Sequence, residues 1–257
     1  MNASQIAERI DRLFTVSNPE VYGDESGITY DAGNSVDKIG YCVNLTLETI
    51  DQAKSHGVDM MITHHPAWDE IYGLKEACLD KLAAYGISHY YNHLPLDDCS
   101  FGTNDSLLSA LGLKIVERTH EWEGMYFGRV AEYDQETDFN QLVKELESLL
   151  GEPVKSWQFG KNKAKRVGLV CGNGAPTECL KESVENQCDL YMTGECNLYT
   201  IQYAQLKGIN LIIGSHTFTE IFGVQSLAKR LSEGTEDLEI VQLEEKHYEA
   251  NTTNPSA

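Results

Sequence analysis

The sequence has 257 residues, 41% of them hydrophobic and 23% charged, which is enough chain to bury one sizeable core or two compact lobes. Forty acidic residues against 20 basic ones give a formal net charge of -20, and such a surface repels phosphate backbones and so disfavours nucleic-acid binding. No apolar run approaches the roughly 18 residues of a membrane helix, and the amino terminus lacks a signal-peptide layout, so we expect a soluble, cytoplasmic protein without a membrane partner.

The first part of the chain predicts helices that alternate with short buried strands. Ser4 can cap a first helix, whose apolar side is Ile6, Ile10, Leu13 and Phe14. Residues 17–35 are rich in Gly, Asp, Asn and Ser and predict a loop. Strands are then predicted at 36–43, 58–62 and 87–91, and helices at 46–55 and 75–85, with Gly57 and Gly86 as helix stops.

The second part of the chain repeats this pattern less regularly. Strands are predicted at 126–132, 166–171, 189–193 and 209–213, and helices at 139–150, 177–187 and 198–206. Alternating helices and short apolar strands indicate an α/β fold with mixed, largely parallel sheets. We expect two α/β lobes, at residues 1–122 and 123–243, followed by a polar tail at 244–257.

The seven cysteines are widely spaced, and none forms a C-x-x-C pair. Four of them, at positions 171, 179, 188 and 196, have spacings that fit no zinc ribbon. We interpret the cysteines as reduced, mostly buried side chains of a cytosolic protein.

Residues that bind metals or carry protons follow four of the predicted strands. They are His64 and His65, His93 and Asp97, Glu195, and His216 with Glu220. Ligands of open α/β sheets bind at the carboxyl ends of parallel strands, so these distant side chains can converge. That convergence would bring together the imidazole and carboxylate ligands of a divalent-metal site.

Each of these residues also has a structural interpretation. One histidine of the His64-His65 pair can be a buried, hydrogen-bonded side chain, although Pro66 favours a strand that has ended and a pair that shares one cavity. Thr217-x-x-Glu220 also fits a capping box, and Asp97 fits a turn. Glu195 can be a helix N-terminal carboxylate rather than a general base.

Two further features are less specific. His93 can be a ligand, a partner of Asp97 or a proton carrier. Gly172-Asn173-Gly174 resembles a phosphate-binding turn, but it meets neither the dinucleotide nor the P-loop pattern.

The order and spacing of these motifs resemble the NIF-three-like dinuclear metal-centre family, which includes proteins named GTP cyclohydrolase 1 type 2. The matching residues are His64-His65, then His93-Leu94-Pro95-Leu96-Asp97, Thr193-Gly194-Glu195, and His216 through Glu220. The resemblance implies two α/β lobes in a subunit of a toroidal homohexamer. It also implies two divalent metal ions, Zn, Fe, Mn or Ni, bound by His64, His65, Asp97, His216 and Glu220, with Glu220 as the bridge. Unlike some members of the family, the chain has no histidine at residues 196–199, directly after Glu195.

Two functions are compatible with such a centre. In the first, a metal-bridging hydroxide hydrolyses an unknown small molecule, nucleotide-like or otherwise polar, and His93 or Glu195 moves protons. In the second, the hexamer is a non-catalytic scaffold that binds metal or handles a metallocofactor. Turnover that is lost on His64→Ala in an intact assembly would distinguish them.

Overall fold

The computed structural model describes residues 1–14, 24–233 and 238–249, and within them helices and strands alternate along the chain. The helices are α1 (Ala3–Asp11), α2 (Leu47–Ser55), α3 (Leu74–Tyr85), α4 (Leu94–Asp98), α5 (Thr103–Ala110), α6 (Phe139–Leu150), α7 (Thr177–Glu185), α8 (Leu198–Lys207) and α9 (His216–Ser232). The strands are β1 (Ser26–Tyr30), β2 (Lys38–Asn44), β3 (Met60–His65), β4 (Ser88–Asn92), β5 (Lys114–Trp122), β6 (Met125–Asp138), β7 (Lys155–Trp157), β8 (Lys163–Val170), β9 (Leu190–Thr193), β10 (Asn210–Ile213) and β11 (Glu239–Gln242). The fold is mixed α/β with two sheets.

The chain divides into two compact units, each built from two segments. Among the described residues, the first unit contains those in the ranges 1–102 and 223–245, and the second contains residues 103–222 and 246–249. The expected boundary at residue 122 instead falls inside the hairpin of β5 and β6, because these strands pair along most of their length. Helix α9 begins in the second unit, and its residues from Gly223 onward belong to the first.

The first unit contains a five-stranded sheet in the order β1-β4-β3-β2-β11. Three of its pairings are parallel, and only the edge strand β1 is antiparallel, against β4. Helices α2 and α3 connect β2, β3 and β4, as the alternation of helix and strand predicts. The carboxyl ends of β3 and β4 therefore lie side by side, which places His64, His65 and His93 at one edge of this sheet.

The second unit contains a six-stranded sheet in the order β5-β6-β8-β9-β10-β7. Here the expectation of a largely parallel sheet is wrong, because only the pairings of β8 with β9 and of β9 with β10 are parallel. The hairpin of β5 and β6, and the short edge strand β7, make the remaining pairings antiparallel. The parallel centre still places Glu195 and His216 just after adjacent strands.

Glycine ends three helices, among them α3, for which Gly86 was the predicted stop. Gly86, Gly151 and Gly208 follow α3, α6 and α8 with φ near 67–69°, the left-handed conformation that closes a helix. The start of α1 differs from the prediction, because Asn2 rather than Ser4 is the N-cap and forms a capping box with Gln5.

Strand β1 and helix α5 are among the elements that the sequence did not predict. Strand β1 lies within the predicted loop at 17–35, of which residues 17–23 fall outside the described residues. The buried side of α5 includes Leu107 and Leu108, which join the core under the six-stranded sheet with Phe139 and Leu142 of α6.

No helix in the described part of the chain combines the length and the apolar character that crossing a membrane requires. All seven cysteines are free thiols, and five of them are buried.

Candidate metal centre

Two adjacent histidines end strand β3 of the first unit. The pairing of β3 with β2 continues as far as His65, opposite Asn44, whereas its pairing with β4 ends at Thr63, opposite Tyr91. The strand thus includes both histidines, rather than ending before them as predicted. Their ring centroids are nevertheless only 4.6 Å apart, and both side chains are buried, so the two imidazoles share one region at the strand end.

Hydrogen bonds fix which nitrogen of each histidine can bind a metal. The Nδ1 of His64 lies 2.9 Å from the main-chain oxygen of Asn92, and the Nδ1 of His65 lies 2.8 Å from Oδ1 of Asn44. Glu245 accepts a bond from Nδ2 of Asn44, which turns the amide oxygen toward His65. Because both acceptors are carbonyl oxygens, Nδ1 is the protonated nitrogen and Nε2 carries the coordinating lone pair.

His93 reaches the same region from the N-terminus of α4. Its Nδ1 lies 2.6 Å from a carboxylate oxygen of Glu25, and its main-chain N–H donates to the Glu25 carbonyl. Its ring lies 5.1 Å from the ring of His64 and 5.3 Å from that of His65. One nitrogen from each of these three histidines lies within 4.8 Å of the others, a separation that one metal ion can bridge.

Asp97 adds a carboxylate to this group. It lies in α4, one turn after His93, and Oδ1 is 3.4 Å from Nε2 of His64. The helical turn with Pro95 at its start, rather than an open loop, therefore positions Asp97. The first unit thus brings together four of the predicted site residues.

A buried histidine fixes the main chain at the end of β3. Thr63 donates its hydroxyl proton to the His65 carbonyl at 2.6 Å, so Nε2 of His89 must donate to Thr63 Oγ1 at 2.8 Å. Nδ1 of His89 then accepts from the hydroxyl of Thr29. Burial lowers the pKa of His89 from 6.5 to about 3, so the ring stays neutral and supports the histidine pair.

In the second unit, His216 lies between two carboxylates at the start of α9. Its Nδ1 is 2.6 Å from Oε1 of Glu195, and its Nε2 is 3.3 Å from Oε1 of Glu220 one turn along the helix. Glu220 is buried, whereas the other two side chains are partly exposed. Thr217 lies inside α9, where the Ser215 hydroxyl accepts from the amide of Phe218, so Thr217 does not begin a capping box.

The charges around His216 favour a cation. Burial lowers the pKa of this imidazole, but the Glu220 and Glu195 carboxylates together outweigh that effect and raise the pKa from 6.5 to about 11. The His216 imidazole therefore holds a proton between the Glu195 and Glu220 carboxylates. A divalent ion at this position would be attracted by the same two carboxylates. The second unit brings together the remaining three predicted residues.

Two glycines allow the main chain to approach this group closely. Gly172 has φ of 61°, and a β-carbon there would overlap the Glu220 carboxylate and come within 2.9 Å of His216 Nε2. A β-carbon at Gly194 would lie 2.8 Å from the α-carbon of His216 and from the carbonyls of Gly172 and Ser215. The Gly172-Asn173-Gly174 turn thus packs against the side chains of the candidate metal centre.

The residues before position 250 are held against the start of α9. Glu249 accepts hydrogen bonds from the amides of His216 and Thr217, at 3.0 and 3.3 Å. The ring of His247 stacks on Phe218 at 3.8 Å, and its Nδ1 lies 2.9 Å from the buried Glu152. Residues 246–249 therefore cap the helix that carries His216, which the polar composition of the predicted tail did not indicate.

Comparison with known proteins identifies the family of this chain. The family model described as Duf34/NIF3 (NGG1p interacting factor 3) matches residues 1–249. The chain belongs to the DUF34/NIF3 family. Among curated family relatives, a protein of Pyrococcus horikoshii named "GTP cyclohydrolase 1 type 2 homolog" is 32% identical over 241 residues, which cover 91% of this chain and 94% of the relative. A protein of Borreliella burgdorferi with the same name is 27% identical, over 93% of this chain and 96% of the relative.

Solved structures show the same DUF34/NIF3 fold. TTHA1606 from Thermus thermophilus has a TM-score of 0.78 and 26% identity, and covers 96% of this chain and 99% of its own. A protein titled "protein ybgI, unknown function" has a TM-score of 0.84 at 24% identity, with 96% and 99% covered. HcgD from Methanocaldococcus jannaschii, in its reduced form, has a TM-score of 0.78 at 24% identity, with 95% and 98% covered.

Sequence reasoning missed the residues that position the candidate ligand side chains of this DUF34/NIF3 protein. Glu25, Asn44 and Glu249 are polar residues in loops or at strand ends, and they gave no periodic or motif signal. Gly172 was noticed for a different reason, its likeness to a phosphate turn. His89 is next to Tyr90 in a predicted strand, and the sequence could have identified it only as a buried polar residue.

Proposed function

We propose that this DUF34/NIF3 protein binds two divalent metal ions through His64, His65, Asp97, His216 and Glu220 and hydrolyses a small polar substrate. The observation that carries the proposal is shared by the three proposed histidine ligands, His64, His65 and His216. In each, Nδ1 is bound to a fixed oxygen acceptor, which leaves Nε2 as the coordinating atom. Metal-binding histidines are oriented in this way.

The donor set fits a catalytic metal pair better than a structural site. Imidazoles and carboxylates without thiolates suit Zn, Fe, Mn or Ni, and the donor types do not distinguish among these ions. Five protein ligands shared by two ions leave coordination positions for water and substrate. When bound, such a pair supplies Lewis-acid activation of the substrate and lowers the pKa of water.

His93 and Glu195 are the residues that we propose to move protons. Each is hydrogen-bonded to one other side chain, His93 to Glu25 and Glu195 to His216, and each pair is partly exposed. Because Nδ1 of His93 is bonded to Glu25, exchange of a proton with substrate would occur at Nε2. Glu195 would act on the proton shared with His216 Nδ1.

A nucleotide-like compound is the first substrate to test. The curated relatives carry the name "GTP cyclohydrolase 1 type 2 homolog", and the acidic surface of this chain makes metal ions the natural source of positive charge for a phosphate group. We also propose that the chain assembles into a toroidal homohexamer in the cytoplasm. The seven free thiols fit a reducing compartment.

Metal content, assembly size and turnover together test the proposal. We expect elemental analysis to give two ions per chain and light scattering to give a hexamer. His64→Ala should reduce hydrolysis across a panel of nucleotides and phosphoesters by about 100-fold or more while the assembly stays intact. His56→Ala removes an exposed histidine at the end of α2 and serves as the control.

Two outcomes would count against this function. A protein that binds no divalent ion after loading with Zn²⁺, Fe²⁺, Mn²⁺ or Ni²⁺ would refute the metal centre. A protein that binds two ions, hydrolyses nothing on the panel and changes its binding of partners with metal loading would instead be the non-catalytic scaffold.

A further inference from the structure

An exposed tryptophan lies beside His65 and His93 of the first unit. Trp68 follows the His64-His65 pair by three residues, and its ring centroid lies 5.2 Å from that of His93 and 6.1 Å from that of His65. Its side chain is 36% exposed, although a residue of this size and apolar surface gains most from burial. Packing in the hydrophobic core does not explain why this ring lies at an exposed position.

Trp68 is held in place by its neighbours in the chain. Ala67 is buried in the core cluster of the first unit, which anchors the loop before the indole. The Trp68 carbonyl accepts from the amide of Ile71 at 3.3 Å, and the Ile71 carbonyl accepts from the amide of Leu74 at 2.9 Å. The loop between β3 and α3 is thus folded by its own main-chain bonds, and the indole is positioned before any ligand arrives.

The ring contacts of Trp68 leave an aromatic surface uncovered. The contact with His93 is edge-on, with 68° between the planes, and the contact with His65 is tilted at 51°. Among the residues that the structure describes, no aromatic ring stacks on the indole and no Lys or Arg lies over it. Stacking geometry is therefore still open to a ligand.

We propose that Trp68 is a specificity-determining residue of the metal centre, which selects ligands with a planar heteroaromatic ring. This inference rests on the proposed function, because the ring would present an in-plane nitrogen or oxygen to metal held by His64 and His65, beside His93. Its face would lie on the indole of Trp68. Aromatic rings stack with centroids about 4.5–7 Å apart, and the indole already lies at such distances from two of the imidazoles.

The neighbouring charges favour a neutral or anionic ring over a cationic ligand. An organic cation is also attracted to the face of tryptophan. A divalent ion bound by His64 and His65 would repel that cation at close range, where Coulomb interactions are strong. A flat ring with lone pairs is attracted by both the ion and the indole.

A matched pair of probes can separate ring stacking from metal coordination. Picolinate and pipecolate carry the same nitrogen and carboxylate donors, but picolinate has a flat aromatic ring and pipecolate a puckered saturated one. Their dissociation constants would be measured by calorimetry on the Zn²⁺-loaded full-length protein, with retention of zinc checked by elemental analysis. Stacking on a protein side chain typically changes affinity by about tenfold.

We expect Trp68→Ala to weaken picolinate binding by about tenfold and to leave pipecolate binding unchanged. Trp68→Phe should restore most of the loss, since a smaller aromatic face remains. Trp122→Ala, which removes a 52% exposed tryptophan from the β5–β6 hairpin of the other unit, is the matched control and should change neither constant. In the Trp122→Phe, Trp157→Phe protein, picolinate should also quench the emission of Trp68.

Other results would overturn the inference. If Trp68→Ala changes the two dissociation constants by the same factor, or changes neither, Trp68 does not select planar rings. Absence of picolinate binding to zinc-loaded wild-type protein has the same meaning. The proposed function fails separately, at the earlier stage at which the wild-type protein takes up no zinc.

Discussion

The two units of the chain position their candidate metal-binding side chains by different means. In the first unit, His64 and His65 donate to uncharged carbonyl oxygens, and the main chain beneath them is held by the neutral ring of His89. In the second unit, His216 lies between two carboxylates. The Nδ1 atoms of the His64-His65 pair thus have neutral hydrogen-bond partners, whereas both ring nitrogens of His216 face negative charge.

This difference predicts different responses to change. Neutral buried networks lose stability when one member is charged or removed, because a buried polar group is left unsatisfied. A group surrounded by carboxylates tolerates a cation well but depends on close packing to hold the like charges together. Substitutions in the buried network of His89 should therefore affect folding, whereas substitutions that disturb the packing around His216 should affect metal binding.

The largest effect is expected from Gly172→Ala in the second unit. The new β-carbon would overlap the Glu220 carboxylate and crowd His216 Nε2, so zinc affinity measured by competition with a chelator should fall by about 100-fold or more. Gly112→Ala is the matched control, because Gly112 has φ of 72° with nothing within 4 Å of its β-carbon position. Both variants have the same strain of about 1 kcal/mol from a β-carbon at positive φ. Equal zinc affinities of the two variants would refute the role of close packing around Gly172.

A smaller effect, on stability rather than metal, is expected in the first unit as the pH falls. The folded pKa of His89 is depressed to about 3, so its contribution is present above pH 6.5 and is lost as the pH falls toward 3. Within that window the free energy of unfolding falls by about 1.4 kcal/mol for each unit by which the pH falls, because unfolding takes up one proton.

Urea unfolding of wild-type and His89→Gln protein would test this slope. Since glutamine does not titrate, the stability difference between the two proteins should shrink from pH 7 to pH 4.5. The exposed substitution His56→Gln provides the comparison. A difference between wild-type and His89→Gln protein that is constant with pH would show that burial does not keep His89 neutral.

The smallest effect is expected at the residues that cap α9. Glu249→Gln keeps one acceptor oxygen, replaces the other with an NH2 group that cannot accept from a backbone amide, and removes the negative charge from the helix N-terminus. These changes should cost about 0.5–1 kcal/mol of unfolding free energy. Amide hydrogen exchange of His216 and Thr217 should accelerate several-fold, consistent with that loss. Glu185→Gln, in an exposed pair with Lys181, should leave both amides unchanged.

Much of the fold could be predicted because its signals are local. Helices α3, α6 and α8 have amphipathic sides or apolar stretches that end at a glycine, and each glycine is in the left-handed conformation. Strand β5 could not be predicted in the same way, because it lies at a sheet edge with nearly all of its residues exposed. Its charged sequence lacks the alternation of a half-buried strand.

The location of the candidate site could also be predicted, but its support could not. Histidines after consecutive buried strands must lie near one sheet edge in a parallel α/β arrangement, so topology alone brings His64 near His93. The partners that select the coordinating nitrogen come from distant segments. Glu245 is 201 residues from Asn44, and no local pattern connects them.

One of these anchors has a consequence for mutational scanning. His64 donates to the main-chain oxygen of Asn92, an atom that every amino acid at that position would supply. Replacing the Asn92 side chain therefore leaves the acceptor in place, and a scan of side chains would find no residue responsible for the orientation of His64. Only a change to the backbone itself, such as an ester in place of the amide that follows Asn92, would weaken this carbonyl, and that ester would also remove the His93 N–H that donates to the Glu25 carbonyl.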